Sequence, residues 1–243
     1  MNFRVMARVL GWLFTLESVA MVACGVFAFY DPVDREGGAV IPLIAAGAIT
    51  LLAGILLALV GTNPSDRIPR REGVLIVGLG WILSAGFGAI PFLLSEPRLP
   101  LTAAFFESIS GFTTTGATVI ADLSDWPRGI LLWRSVMQWL GGLGILVLFV
   151  ALLSSTGGGA KSLFRNESSF QSGEAATARI QDTALMFLKI YLTLTAVCLL
   201  GLRGLGLSWF DAVAHAFTTV ATGGFSPYNE SIAHFSGLTT GLF

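Results

Sequence analysis

The sequence predicts an all-α polytopic membrane protein of repeated helix–pore loop–helix units: a two-helix N-terminal hairpin, then about one and a half pore repeats. Three observations carry this. Of 243 residues, 54% are hydrophobic and 12% charged, against roughly 25% charged in soluble domains. Five apolar runs, at approximately 8–30, 39–61, 73–95, 130–153 and 183–202, match the ~20 residues that cross a bilayer. Two short stretches rich in threonine and glycine, "GFTTTGATVI" and "AFTTVATGGFSP", follow spans in equivalent places.

The N-terminal run contains a decoy. Arg4, Arg8, an apolar stretch and "MVACG" resemble a lipoprotein signal with Cys24 as the modified residue. Glu17 interrupts that apolar core, however, and apolar character continues past Cys24 to Phe29 and Tyr30. The segment therefore reads as a first transmembrane helix. Residues 1–71 form the hairpin, closed by the polar loop "TNPSDRIPRRE" with Pro64 and Pro69. Residues 72–155 form the first repeat, 156–181 a cytoplasmic connection, and 182–243 a second, incomplete repeat. Cys24 and Cys198 both fall in apolar runs, so neither a disulfide framework nor a metal cluster is read from them. The net charge of −1 gives no sign of nucleic-acid binding.

Orientation follows from the cationic residues. Arg4, Arg8, Arg67, Arg70, Arg71, Lys161, Arg165 and Arg179 share one side if five helices alternate. The other side receives Asp31, Asp34, Glu36, Glu96, Asp122, Asp125 and Glu230. The N-terminus is thus expected in the cytoplasm and the Thr-Gly stretches at the outer side.

Between Ser95 and Gly129 the chain stays on that outer side for about 35 residues. "LTAAFFESISGF" is apolar enough to dip into the membrane as a short helix, and too short to cross it. Non-helical backbone at membrane depth is tolerated only where protein buries it or it lines a water-filled path. Thr113, Thr114, Thr115 and Gly116 would offer successive carbonyl oxygens there, with glycine allowing backbone angles closed to other residues. Such a row can replace the hydration shell of a monovalent cation, and the C-terminal end of the short helix adds partial negative charge. Setting Gly116 on Gly224, 108 positions later, also pairs Thr114 with Thr222, Ala104 with Ala212, Thr118 with Ser226 and Glu107 with His215. Internal repeats with a site at their interface recur in membrane transport folds.

"GFTTTGATVI", "WRSVMQWLGGLGILVL" and "AFTTVATGGFSP" together resemble the first two pore repeats of the Trk/Ktr/HKT superfamily of potassium-uptake proteins, on the TrkH-like branch. The resemblance covers essentially the whole chain and implies a potassium-channel-like fold of four such repeats around one ion path. It places Thr114, Thr115 and Gly116 in a first filter strand and Thr222, Gly223 and Gly224 in a second. Gly116 implies preference for potassium, since a serine in the first repeat marks sodium-preferring plant members. It further implies K+ as the bound and transported ion, symport through a Trk system in a bacterial inner membrane, and no cofactor. The implied partners are a second copy of the chain in a homodimer and a cytoplasmic nucleotide-binding regulatory subunit (TrkA/KtrA-like), with the 154–182 loop as its contact surface. Because the family has four repeats, the end at "GLTTGLF" inside an apolar run is read as a truncation or fragment. A homodimeric two-repeat pore and a non-conducting remnant are the alternatives.

Glu107 and His215 are expected behind the filter, as pore-helix support or as tuning charges. Asp211 is expected to cap the second pore helix. Asp122 and Asp125 are expected as solvated charges at the outer mouth. Of the charged residues inside spans, Arg134 and Lys189 are expected to reach the interface, and Glu17 has no evident partner. Gly141, Gly142 and Gly144 suit close helix packing, and Trp126, Trp133, Trp139 and Trp209 an aromatic belt. The "NES" sequons at Asn166 and Asn229 are read as chance. An intramembrane serine protease using Ser108 or Ser110 with His215 or His234 is set aside. Ser110 lacks a glycine two positions earlier, and His215 aligns with Glu107. No catalytic residue is expected.

Overall fold

A computed structural model describes residues 3–32, 34, 38–61, 70–156 and 173–235. Among them are eight α-helices, one short 3-10 helix and no strand. The helices are α1 (Phe3–Tyr30), α2 (Val40–Val60), α3 (Arg70–Gly88), α4 (Ile90–Leu94), α5 (Leu101–Phe112), α6 (Arg128–Thr156), α7 (Gly173–Gly204) and α8 (Trp209–Val220). Ser231–Phe235 is the 3-10 turn. Among the described residues, four helical segments are long and apolar enough to cross a membrane: Phe3–Tyr30, Val40–Val60, Glu72–Leu94 and Asp182–Gly204. At 29 residues, α6 also exceeds the length a bilayer needs. The fold is all-helical and of membrane type, as the composition predicts. The loop "TNPSDRIPRRE" up to Pro69, Glu36, Lys161, Arg165, Asn166 and the end "GLTTGLF" lie outside the described residues, as do the side chains of Arg70, Arg71 and Arg179.

Helices α1 and α2 cross antiparallel at very short range, because glycines meet backbone on both sides. A Cβ on Gly11 would lie 2.6 Å from the Ala58 nitrogen, and one on Gly54 would lie 2.9 Å from the Gly11 carbonyl oxygen. Helices in lipid gain cohesion from such close approach rather than from expelling water. Ser18 adds a hydrogen bond across the pair, donating to the Gly47 carbonyl at 2.8 Å.

The third apolar run is one span with a break. Helix α3 ends at Gly88 and α4 begins at Ile90, because Pro91 has no N–H to continue the ladder. Helix α7 begins at Gly173, some ten residues before the apolar run that the sequence marks at 183.

Helix α6 is the centre of the molecule. Every residue from Ile130 to Gln138 is buried, Trp133 and Gln138 completely. A helix buried all round is ordinarily apolar all round, yet this one carries Arg134, Ser135 and Gln138 within its buried stretch. Trp133 and Trp126 therefore belong to the core and not to an interfacial belt. Trp133 donates its indole N–H to the Gly88 carbonyl at 3.0 Å, and Trp126 is 7% exposed. Trp139 is partly buried and donates to Thr195 of α7 at 3.1 Å. Of the four, Trp209 is the one that stands in the open, at 60% exposure.

The start of α6 is capped from far away in sequence. The carboxylate of Asp34, in the α1–α2 loop, accepts the backbone N–H of Arg128 at 2.6 Å and also that of Gly129. These are two of the N–H groups a helix leaves unsatisfied at its first turn. Asp34→Ala is expected to lower stability by about 0.5–2 kcal/mol, as for other lost helix caps. Thermal loss of helical circular dichroism in detergent measures it, and an unchanged midpoint would show that water replaces the cap without cost.

Candidate functional site

Two helix-and-turn units meet on one face of α6. In the first, α5 ends at Phe112, and the chain turns and runs back along the helix it has just left. Ser110 donates to the Ala117 carbonyl at 2.6 Å, while Thr118 Oγ1 at 2.9 Å and the Val119 N–H at 3.0 Å donate to the Glu107 carboxylate. In the second, α8 ends at Val220 and the chain again doubles back. His215 Nδ1 faces the Asp211 carbonyl at 2.9 Å. A carbonyl only accepts, so Nδ1 carries the proton, and Nε2 accepts from Ser226 Oγ at 3.3 Å.

The two units repeat at the backbone with the offset of 108. Thr114 and Thr222 both have φ 55°, and Gly116 and Gly224 have φ 76° and 82°. Left-handed conformations at non-glycine residues are uncommon, so the same pair at matched positions marks one turn used twice. The hydrogen bonds match as well. The Thr115 N–H donates to Ser110 O at 3.0 Å and the Gly223 N–H to Thr218 O at 2.8 Å, with Thr114 to Gly111 O and Thr222 to Thr219 O both at 3.0 Å. Glu107–Thr118 and His215–Ser226 are the same anchor built from different side chains.

The strands touch where the glycines are. A Cβ on Gly116 would lie 1.9 Å from the Gly223 carbonyl oxygen, so only a bare Cα permits this approach. Gly116 and Thr114 are half-buried, Thr115, Thr222 and Gly224 exposed, and Gly223 buried. Of the predicted site residues, then, Gly116 and Gly223 are brought into contact. Glu107 and His215 sit one behind each loop.

Arg134 ties the two units together. It is 1% exposed, which corrects the expectation that it snorkels to the interface. Its Nε donates to Glu107 Oε1 at 2.8 Å, Nη2 to Thr118 Oγ1 at 3.1 Å and Nη1 to the Ser226 carbonyl at 3.0 Å. The guanidinium also lies 4.1 Å from the centre of the Phe225 ring. One planar fork thus reaches both loops, a geometry that lysine's single ammonium cannot reproduce. One turn further along α6, the Gln138 carbonyl oxygen accepts the Phe225 N–H at 3.1 Å. Further on still, a Cβ on Gly141 would lie 1.9 Å from Phe112 O and one on Gly142 would lie 3.3 Å from the Ala221 Cα. Among the described residues, Gly144 meets only the Trp81 ring, at ordinary contact distance. Arg134, Gln138, Gly141 and Gly142 form one helical stripe against both loops. Its spacing is readable in "WRSVMQWLGG", but composition gives no reason to turn that face toward polar loops.

Other expectations resolve individually. Ser208, not Asp211, caps α8, accepting the Asp211 N–H at 3.1 Å. The Asp211 carboxylate accepts instead from the hydroxyls of Ser208 at 2.6 Å and Tyr228 at 2.8 Å. Burial, and then the Asp211 carboxylate, push the Tyr228 phenol up to about 12. Asp122 is held below the usual carboxylate range by the Asn229 amide and by Ser124. Asn229 also accepts the Leu123 N–H at 2.9 Å, so it ties the loop after the first unit to the loop after the second. Asp125 lines a hollow of ≈ 410 Å³ with Glu96, Trp126, Arg128 and Tyr228. Lys189 is exposed on α7. Glu17 is 2% exposed; neither of its oxygens is hydrogen-bonded among the described residues, and the Ser84 hydroxyl lies beside it. Ser108 meets the Met137 sulfur, and neither it nor Ser110 is paired with a histidine.

The TrkH cation transport protein family profile matches residues 42–239. The chain belongs to the TrkH family. Over 244 residues this TrkH-family chain is 37% identical to the Trk system potassium uptake protein TrkH of Vibrio parahaemolyticus, covering 100% of itself and 50% of that protein. It is 39% identical to the Trk system potassium uptake protein TrkH of Escherichia coli K12, covering 98% and 49%. The crystal structure of the potassium transporter TrkH from Vibrio parahaemolyticus superposes with a TM-score of 0.80 at 36% identity, covering 97% of this chain and 46% of that one. The chain therefore spans about half the length of these TrkH relatives.

Proposed function

We propose that this chain is an ion-conducting subunit for potassium uptake, with backbone carbonyls as the ion's ligands. Thr114, Thr115 and Gly116 line one wall of the filter, and Thr222, Gly223 and Gly224 the next. The observation that carries this reading is the duplicated turn, left-handed threonine then positive-φ glycine, with the Gly116 Cα against the Gly223 carbonyl. Irregular backbone of this kind at membrane depth belongs beside a hydrated path, and a ring of carbonyls can substitute for the water around a potassium ion. The names of the relatives point the same way.

Two strands make two walls. Further repeats, or a second copy of the chain in a homodimer, complete the ring. The hairpin 1–71, the repeats 72–155 and 182–243 and the connection 156–181 then have the topology expected from the sequence. The N-terminus is cytoplasmic and the membrane is the bacterial inner membrane. A cytoplasmic nucleotide-binding subunit of the TrkA/KtrA type regulates the path, and transport runs as symport.

Expressing the gene that encodes this chain in a bacterial host stripped of its own potassium uptake tests the reading. Growth at low external potassium and saturable uptake of potassium ions are expected. Membrane-inserted protein without uptake would reject conduction and leave a non-conducting assembly subunit.

A further inference from the structure

Gln138 is completely buried and stands between the two loops, one turn from Arg134 on α6. Its Oε1 accepts the Phe225 N–H at 3.1 Å. Gly223 has no side chain to keep the carboxamide away, so the amide packs on the Gly223 backbone. A Cβ there would lie 2.2 Å from the amide carbon and 2.3 Å from its oxygen. The amide nitrogen has no hydrogen-bond partner among the described residues, and it lies 3.7 Å from where a Cβ on Gly116 would stand. A buried amide that leaves hydrogen-bonding capacity unused is costly, and leucine would fill a similar volume at the loss of the Phe225 N–H partner. Packing alone does not account for glutamine here.

We propose that Gln138 is a positioning residue that sets ion preference. By holding the Phe225 N–H and occupying the space over Gly223, it fixes where the Gly223 carbonyl stands against Gly116. Separation of ions that differ slightly in size depends on the number and placement of such carbonyls. Release of this strand lets the carbonyls adapt to a smaller ion. The inference rests on the filter assignment proposed above, and it adds a residue that no part of that assignment contains.

The test uses Gln138→Leu, Gln138→Glu and Gln138→Asn in the same gene and host. Uptake of potassium, sodium and rubidium is measured separately for each and divided by the amount of protein in the membrane. Gln138→Leu is expected to lower the potassium-to-sodium uptake ratio about tenfold, the effect of roughly one lost buried hydrogen bond. Gln138→Glu keeps an oxygen for the Phe225 N–H and is expected to hold the ratio within about twofold of wild type. Gln138→Asn draws that oxygen back by one methylene, and its ratio is expected to fall even if the leucine variant fails to accumulate. Uptake of all three ions reduced in proportion, with the ratio kept, would show a packing role and overturn the proposal. So would a glutamate variant as unselective as the leucine one. Wild-type protein that takes up no potassium would instead bring down the function on which the inference rests.

Discussion

Gly116→Ser is expected to lower the preference for potassium over sodium about tenfold or more, and Gly224→Ser to lower it clearly less. Both glycines have positive φ, 76° and 82°, so any side chain at either position meets backbone strain of roughly 1–2 kcal/mol. The surroundings differ. At Gly116 the new Cβ would fall 1.9 Å from the Gly223 carbonyl oxygen, whereas at Gly224 nothing among the described residues lies within 4 Å. The first substitution must therefore displace a proposed ion ligand of the other loop, and the second need not. Separate sodium and potassium uptake measurements on the two variants decide the matter. Equal losses would mean that strain alone matters and the cross-loop contact does not. No change in either would remove the filter from these residues.

Arg134→Met is expected to destabilise the folded protein by about 3–5 kcal/mol, because it strands the Glu107 carboxylate in a buried site. Glu107 is completely buried and, among the described residues, keeps only Thr118 and Val119 as donors once the guanidinium is gone. Arg134→Met combined with Glu107→Gln is expected to be more stable than Arg134→Met alone. A carboxamide can still accept from those two donors without carrying an unpaired charge. The double-mutant cycle, read from thermal unfolding in detergent, should give a coupling of about 0.5–3 kcal/mol. Strict additivity would mean that the pair at 2.8 Å contributes nothing specific. Arg134→Lys separates charge from geometry. It restores a cation beside Glu107 but cannot also reach Thr118 and the Ser226 carbonyl, so stability should recover further than ion preference does.

These predictions depend on sites that were legible in the sequence to different degrees. The Thr-Gly turns were visible because their signal is local. A stretch that breaks helix inside an apolar chain announces itself in composition, and its second occurrence 108 positions later supplies the register. The same alignment put Glu107 opposite His215, although one is a carboxylate and the other an imidazole. Their shared task appears only once each is seen holding the hydroxyl eleven residues on, Thr118 and Ser226. The sequence points to the right helix end for Asp211, but the cap itself is Ser208, three residues earlier. Ser208 offers the shorter reach to the first turn, and the "SWFD" spacing, a serine three residues before an acid, carried that signal.

Arg134 is placed wrongly by the sequence, at the interface, for a different reason. In an apolar run, hydropathy treats every charge as a cost to be moved toward water, and snorkelling is the least demanding way to do so. The alternative, a buried partner, requires knowing that Glu107 on a separate helix lies 2.8 Å away. The same limit applies to Trp133 and Trp126. An aromatic near the end of an apolar run suits a membrane interface, but both are buried, Trp126 against the Phe92 ring and Trp133 against that of Phe112.

The sequence by itself determined that the chain is helical and membrane-embedded, that it interrupts its helices twice in the same way, and which glycines and threonines form those interruptions. Each of these depends on hydropathy or on backbone angles, which are properties of neighbouring residues along the chain. Only the tertiary structure decided that α6 is the spine between the two loops. Arg134 and Gln138 find partners on Ser226 and Phe225, 92 and 87 residues away, and Asp34 caps a helix that begins 94 residues later. A hydrogen bond forms wherever packing brings a donor to an acceptor, and packing over such separations leaves no trace in local composition.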